Sequence, residues 1–208
     1  MSHRRHTASH RKTIFREGPK DALDFEKMIS HEGDDIYFHI ETPGKGYTHV
    51  VTEDEILSRL HELPDHLLCN LNCVVLPRMT RKRERFNIYG LQWGNSVYLY
   101  PMESCLTVGA KHKLGIDVVN EARQFGATIE ETKTGPIIHW TPETIKLYYL
   151  ENILIHELGH TYDVKNTSVK DREAYAEWFA RKYGRWPKRK PRRFLPKPAG
   201  LVPKESQG

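Results

Sequence analysis

The sequence predicts an α+β fold, in which a small mixed or antiparallel sheet with a backing helix comes first and two long helices come last. Two observations support this class. Short apolar runs separated by turn residues recur between residues 35 and 140, as expected of strands. Two longer segments, 141–160 and 169–183, open with helix-capping residues and continue with helical periodicity.

The elements of the first two thirds can be assigned in order. Five strands are predicted, at 35–41, 47–51, 71–76, 86–91 and 96–100. Thr52-x-x-Glu55 is a capping box that opens a helix, which Pro64 ends. A further helix is predicted over 115–125. A hairpin follows it, with strands at 127–131 and 136–140.

A strongly marked helix begins at Thr141, a good N-cap residue, with Pro142 at its first position. The segment that follows is apolar on nearly every side, as expected of a helix buried in the centre of a domain. The sequence His-Glu-Leu-Gly-His, at residues 156–160, lies near the end of this helix. Buried imidazoles need polar partners, and metal ligation would provide them.

His156 and His160 are four residues apart, so on a helix they project from one face and can bind one Zn²⁺ ion. Glu157 lies beside them, where it can accept a proton from a metal-bound water. So short a motif can also occur by chance, and the alternative is a surface helix with solvated histidines. The buried character of the surrounding helix favours the metal site.

A catalytic zinc normally has three protein ligands and one open position, so a third ligand is needed after His160. The metzincin pattern would continue with a glycine and a third histidine, but this chain has Asp163 and Asn166 at those positions. No methionine follows the motif, which excludes that class. The third ligand is therefore expected from a second helix, with Asp163 as an alternative.

The second helix is predicted over 169–183, with Ser168 as its N-cap and Gly184 as the residue that ends it. Glu173 and Glu177 share one face of this helix with small alanines, which would let another helix approach closely. On an ordinary helix both carboxylates would be solvated and paired with neighbouring Lys and Arg. Directly after the HExxH helix, they are candidate metal ligands.

His-Glu-Leu-Gly-His followed by Glu173-x-x-Ala-Glu177-x-x-Ala resembles the gluzincin branch of zinc metallopeptidases. It is similar to the minigluzincins and to the catalytic domain of the anthrax lethal factor type, over about residues 141–184. The resemblance implies a zincin-like fold, with an active-site helix and a glutamate helix, that hydrolyses peptide bonds. It also implies that Glu173 is the zinc ligand and that Glu177 orients a ligand histidine. The short connection between the helices, 161–168, departs from the family and requires a tight turn.

In such sites a tyrosine or a histidine usually assists the oxyanion, and the candidates here are Tyr175, Tyr162 and His139. In zincins the edge strand of the sheet lies along the cleft and binds an extended peptide as a further strand. The candidate edge strand consists of Ser96, Val97, Tyr98, Leu99 and Tyr100. An ordinary core strand is the alternative interpretation of this segment.

Length and charge predict one domain with two basic tails. Of the 208 residues, 1–20 contain six Lys and Arg against one Glu, and 185–208 contain eight against one. The tails thus carry +5 and +7, and since the whole chain carries +5, the metallopeptidase domain at 21–184 carries −7. Few large apolar residues occur in the tails, so both are expected to be flexible.

The three cysteines, Cys69, Cys73 and Cys105, are an odd number, which argues against a disulfide framework and for a reducing compartment. No apolar stretch approaches the ~20 residues that span a bilayer, and the N-terminal residues lack the apolar core of a secretory signal. We therefore expect a cytoplasmic protein without a membrane partner.

Three functions compete at this point. The favoured one is a zinc metallopeptidase that acts on a peptide or protein substrate, with Glu157 as general base. The second is a nucleic-acid-associated protein, or a protease recruited to nucleic acid, which would use the basic tails and a third basic cluster at 78–85. The third is a zinc-binding module without turnover. Glu157 argues against this last function, because a structural site needs no base.

Overall fold

The computed structural model describes residues 36–86, 89–109 and 114–187 of the chain. The predicted tails therefore lie outside the described residues, except for 185–187. Among the described residues, none of the helices combines the length and the apolar character that a transmembrane span requires.

Strands and helices are both short and are interspersed along the chain, which confirms the predicted α+β class. The strands are β1 Tyr37–Ile40, β2 Tyr47–Thr48, β3 Cys73–Leu76, β4 Gly90–Trp93, β5 Ser96–Leu99, β6 Met102–Glu103, β7 Thr107–Val108, β8 Thr128–Thr132 and β9 Gly135–His139. The helices are α1 Glu53–Leu60, α2 Arg81–Phe86, α3 Ile116–Gln124, α4 Pro142–Tyr148, α5 Leu154–Tyr162 and α6 Val169–Tyr183. A π-helical turn, Tyr149–Ile153, joins α4 directly to α5.

The largest sheet has the strand order β1-β3-β5-β4 and is mixed. Its strands β1, β3 and β5 are parallel, whereas β4 runs antiparallel to β5. Two smaller antiparallel sheets pair β2 with β6 and order the remaining strands as β7-β9-β8.

Strand β5 is interior, because β3 and β4 pair with its two sides, and the prediction that it is the edge strand is wrong. The residues concerned are Ser96, Val97, Tyr98, Leu99 and Tyr100. All four residues of β5 are buried, as expected of a strand covered on both faces. The two-residue turn at Gly94 and Asn95 pairs β4 with the outer side of β5, so β4 is an edge strand, and β1 is the edge strand on the opposite side of the sheet.

The sheet separates two groups of buried side chains. One face carries Val74, Val97 and Leu99, which join the main core with the apolar side chains of α4 and α5. The opposite face carries a smaller cluster that includes Val75 and Tyr98. This arrangement follows from the alternation of side chains along each strand, and it places α5 against the sheet.

Local capping signals position the long helices where the sequence predicts them. Thr141 caps α4, and its hydroxyl accepts a hydrogen bond from the backbone N–H of Thr144 at 3.2 Å. Ser168 caps α6 by accepting one from the backbone N–H of Asp171 at 3.1 Å. Gly184 ends α6 with a φ of −78°, so it does not adopt the left-handed conformation that a C′ glycine usually has. Glycine is needed there because an added Cβ would lie 2.1 Å from the carbonyl oxygen of Glu151.

The packed domain extends beyond the predicted boundary at residue 184. The indole N–H of Trp186 donates to the carbonyl of Ala180 at 2.9 Å, and its ring lies 5.0 Å from that of Phe125. The backbone N–H of Arg185 donates to the buried Glu151 carboxylate at 2.7 Å. Residues 185–187 therefore belong to the domain, because a buried carboxylate requires donors that this segment supplies.

Candidate metal centre

Helix α5 places His156 and His160 side by side. Their Nε2 atoms are 3.1 Å apart, and the ring centroids are 4.8 Å apart. The two side chains are almost completely buried, with relative exposures of 0% and 6%. The spacing of four residues in sequence has thus produced a pair of imidazoles that present the same nitrogen to one point.

Helix α6 brings the carboxylate of Glu173 to this point. One oxygen lies 3.5 Å from Nε2 of His156, and the other lies 3.4 Å from Nε2 of His160. Burial raises the pKa of Glu173, but hydrogen bonding and charge attraction from the two histidines outweigh it and lower the pKa to about 2. The glutamate is therefore an anion at neutral pH, which is the protonation state of a metal ligand.

The spacing of these atoms fits a metal ion. Nitrogen and oxygen ligands of a tetrahedral zinc, each about 2.0–2.2 Å from the ion, lie about 3.3 Å from one another. The three separations here are 3.1, 3.4 and 3.5 Å. His156, His160 and Glu173 can therefore hold a metal ion.

Close contact between α5 and α6 is what lets Glu173 reach the histidines. A Cβ added to Gly159 would lie 2.9 Å from Cβ of Phe179 and 3.1 Å from Cα of Ala176. Ala176 and Ala180 are fully buried on the facing side of α6. The small residues at these positions thus set the distance between the two helices, as the alanine spacing predicts.

Asp163, the alternative metal ligand in the sequence analysis, instead accepts hydrogen bonds within the turn that follows α5. Its Oδ1 accepts hydrogen bonds from the backbone N–H groups of Lys165 and Asn166, at 3.3 and 3.1 Å, and from the Asn166 side chain at 2.9 Å. The carboxylate therefore closes the tight turn between α5 and α6, and it is not a member of the metal-binding group.

Glu177 lies behind His156, on the side away from the cluster. One carboxylate oxygen is 3.9 Å from Nδ1 of His156, which is an electrostatic contact rather than a hydrogen bond. The other oxygen accepts two hydrogen bonds from the guanidinium of Arg181, at 2.9 and 2.7 Å. Glu177 is thus close to the ring nitrogen that it was predicted to orient, with Arg181 fixing its direction.

Glu157 is 1% exposed and faces the edge strand β4. A Cβ added to Gly90 would lie 2.6 Å from Oε1 of Glu157 and 2.6 Å from Cγ2 of Ile153. The candidate base therefore lies between the metal-binding helix and the edge of the sheet. A glycine in a strand pattern often marks such a close approach, so Gly90 was the available sequence signal for it.

The three candidates for assisting the oxyanion make other contacts. Tyr162 packs on Phe179 with 5.9 Å between ring centroids, and Tyr175 packs on the same ring at 6.2 Å. His139 lies in the three-stranded sheet, where Nε2 is 2.9 Å from a carboxylate oxygen of Glu130. Within the described ranges, no hydrogen bond or ion pair joins any of the three to the metal-binding group.

The backbone groups of the edge strand point outward at two residues. The N–H of Tyr100 donates to the carbonyl of Tyr89 at 2.9 Å, so the backbone N–H and C=O groups of Tyr89 point toward the chain of β5. In an antiparallel pair this direction alternates. Gly90 and Gln92 therefore direct their N–H and C=O groups away from β5, toward the unpaired edge.

Sequence reasoning missed a polar contact across the site. Nη2 of Arg172, the residue before Glu173, donates to Oε1 of Gln92 at 3.1 Å. This contact joins the glutamate helix to the edge strand. No local pattern could reveal it, because the two residues are 80 positions apart in the chain.

Comparisons with protein-family models, with curated proteins and with solved structures found no match for this chain.

Proposed function

We propose that this protein is a zinc-dependent metallopeptidase. His156, His160 and Glu173 hold the metal, and Glu157 is the general base. The observation that carries the proposal is the convergence of three ligand atoms from two helices beside a buried glutamate that faces a sheet edge. A bound zinc ion would supply Lewis acidity, which polarises a carbonyl group and makes water acidic near neutral pH.

Glu157 supplies the proton transfers. Its carboxylate accepts the proton of the attacking water and later delivers it to the leaving amine. The buried position of Glu157, on the turn of α5 that also carries both histidines, fixes the carboxylate beside the reacting carbonyl. General-base groups of this kind contribute about 10²–10⁴-fold to the rate.

The substrate binds along β4 as an added strand. Outward N–H and C=O groups at Gly90 and Gln92 pair with an extended peptide backbone, as in other cases of strand addition to a sheet edge. Gly90 is also the residue against which Glu157 packs, so a peptide bound there passes directly beside the base.

A zinc module without turnover fits this site less well. Structural zinc sites have four protein ligands, whereas the group found among the described residues has three, which leaves a position for water. A structural site also gives no reason to bury a further carboxylate, Glu157, next to the ligands. The role of the basic tails in nucleic-acid binding stays a prediction. Within the basic cluster at 78–85, Arg83 is buried and lies 4.9 Å from the centre of the Tyr100 ring.

Metal analysis combined with a peptide digest tests the proposal. We expect about one zinc per chain, cleavage of a peptide library by the zinc-loaded full-length protein, and loss of cleavage on dialysis against a chelator. Glu157→Gln should retain the zinc and lower the cleavage rate by about 10²–10⁴-fold. Unchanged cleavage in Glu157→Gln, or a zinc-loaded protein that cleaves nothing, would refute the assignment.

A further inference from the structure

Arg172 stands at the boundary between the proposed metal site and the proposed substrate edge. It precedes the ligand Glu173 on α6, and its Nη2 donates to Oε1 of Gln92 on β4 at 3.1 Å. Gln92 is itself fixed, because its Nε2 donates to the carbonyl of Gly94 at 2.5 Å and so turns the amide oxygen toward Arg172. The guanidinium is therefore held across the gap between the helix and the edge strand.

The charge of this guanidinium is not neutralised within the described part of the chain. Its one hydrogen bond to a described residue is with the neutral amide of Gln92, and Nε is buried without a hydrogen-bond partner among the same residues. A guanidinium has five N–H donors in a planar fork, which matches a carboxylate. By contrast, Arg181 on the same helix is satisfied by a carboxylate, that of Glu177.

Side chains alternate between the two faces of β4, and Arg172 and Glu157 contact residues on the same face of this strand. Gly90 and Gln92 lie on the same face of β4, because they are two residues apart, at a distance of about 6.6 Å. Glu157 packs against the first of them and Arg172 bonds to the second. A peptide added to β4 would therefore direct a side chain toward Arg172 two residues from the position that lies beside Glu157.

We propose that Arg172 is a substrate-specificity residue that binds a carboxylate of the peptide, two residues from the one beside Glu157. The inference rests on the proposed peptidase function, because it uses β4 as the substrate strand. The carboxylate can come from an Asp or Glu side chain or from the C-terminus of a short peptide. Both present the same planar acceptor to the guanidinium fork.

Paired peptides test the proposal on the zinc-loaded full-length protein. Each pair differs only by Glu or Gln at one position, scanned over three residues on either side of the scissile bond. A second set compares short peptides that end in a free carboxylate or in an amide. We expect a preference of about tenfold or more in kcat/KM for the carboxylate member at one position, because hydrogen bonds to charged groups are the stronger ones.

Three variants separate recognition by Arg172 from loss of structure. Arg172→Gln should reduce the preference to about one, and Arg172→Lys should keep part of it, since it retains the charge but not the fork. Lys170→Gln, which removes an exposed positive charge on the same helix, should keep the full preference. The ratio is measured within one protein preparation, so it does not depend on how much of that preparation is active.

The peptide set that shows the preference tells whether the bound carboxylate is that of a side chain or that of the peptide C-terminus. If the protein cleaves peptides without a carboxylate preference, or if Arg172→Gln keeps it, the role of Arg172 is refuted and the peptidase function stands. If the protein cleaves nothing, the peptidase function fails, and fluorescence anisotropy with the same peptide pairs then decides for Arg172. Equal binding of both members of each pair would overturn its role.

Discussion

Gly90 and Glu157 occupy adjoining space so tightly that a methyl group at residue 90 would lie 2.6 Å from the glutamate oxygen. Real Cβ atoms do not approach an oxygen this closely, so a side chain at residue 90 forces a displacement. The strand that would bind substrate and the carboxylate that would take a proton are therefore positioned by one contact.

Gly90→Ala should displace Glu157 and lower peptide cleavage strongly while leaving the zinc content unchanged, since the metal ligands lie on other residues. Zinc analysis and kcat/KM on one peptide measure the two effects. The matched control is Gly46→Ala, where no atom lies within 4 Å of the new methyl, although a φ of +83° makes that change cost about 1–2 kcal/mol of stability. Equal cleavage by Gly90→Ala and the wild type would show that Glu157 is not held by this contact.

Substitutions of the three acidic residues near the histidines should weaken zinc binding to different extents, according to whether each residue is a ligand, contacts a ligand, or does neither. Glu173→Gln removes a ligand and should weaken binding by more than about 100-fold, whereas Glu177→Gln should weaken it by about 10–100-fold, as removal of an outer partner does. Asp163→Asn should retain the affinity, because its carboxylate closes a turn. Chelator competition measures all three. Loss of zinc in Asp163→Asn with full affinity in Glu173→Gln would reverse the ligand assignment.

The buried ion pair of Arg59 and Glu151 gives a prediction about stability. Nε of Arg59 donates to both carboxylate oxygens, at 3.0 and 2.9 Å, and the two residues are 5% and 4% exposed. Arg59→Met leaves Glu151 with an uncompensated buried charge and should lower the free energy of unfolding by about 3–5 kcal/mol. Urea denaturation monitored by circular dichroism would measure the loss.

Arg123 offers the matched control for this measurement. It also lies in the last turn of a helix and pairs with Glu131 at 3.4 Å, but the two side chains are 49% and 71% exposed. Arg123→Met should therefore change the free energy of unfolding by less than about 1 kcal/mol. If both substitutions lower the free energy of unfolding by equally small amounts, the buried ion pair of Arg59 and Glu151 does not stabilise the fold as predicted.

Thiol labelling should separate the three cysteines into two classes. Cys69 and Cys105 are exposed, whereas Cys73 is fully buried in β3, and burial raises the pKa of its thiol to about 12. At pH 8 a disulfide reagent should therefore modify two thiols rapidly in the folded protein, because the thiolate is the reacting form. The third should react only after denaturant is added. Rapid modification of three thiols without denaturant would contradict the buried position of Cys73.

The sequence predicted best the features that depend on neighbouring residues. Thr52, Thr141 and Ser168 cap helices as predicted, because capping involves atoms three residues apart. The strand predicted at 86–91 is confirmed at residues 90 and 91 but begins later than predicted, and residues 87–88 lie outside the described residues. Residues 81–86 form α2, whose first turn includes a hydrogen bond from the N–H of Glu84 to the carbonyl of Thr80, and β4 begins only at Gly90. A short apolar run does not by itself fix where a strand begins.

In the candidate site too, the features set by nearby residues could be predicted, and those set by distant residues could not. The pairing of His156 with His160 follows from helical geometry, and the approach of Glu173 follows from a short connection between two helices. The order of strands in the sheet does not follow from any local pattern, so β5 was mistaken for the edge. For the same reason the contact of Arg172 with Gln92 could be found only from the folded chain.

The π-helical turn at Tyr149–Ile153 sets the rotational phase of the metal-binding residues. Its last hydrogen bond runs from the N–H of Leu154 to the carbonyl of Tyr149, five residues back instead of four. Each residue of an α-helix advances the side-chain direction by about 100°. The wider π-helical turn advances it by less per residue, so a regular α-helix over the same five residues would turn the histidines away from α6 and β4, with the motif itself intact. The orientation of the metal-binding residues thus depends on five residues that precede the motif and contribute no ligand atom.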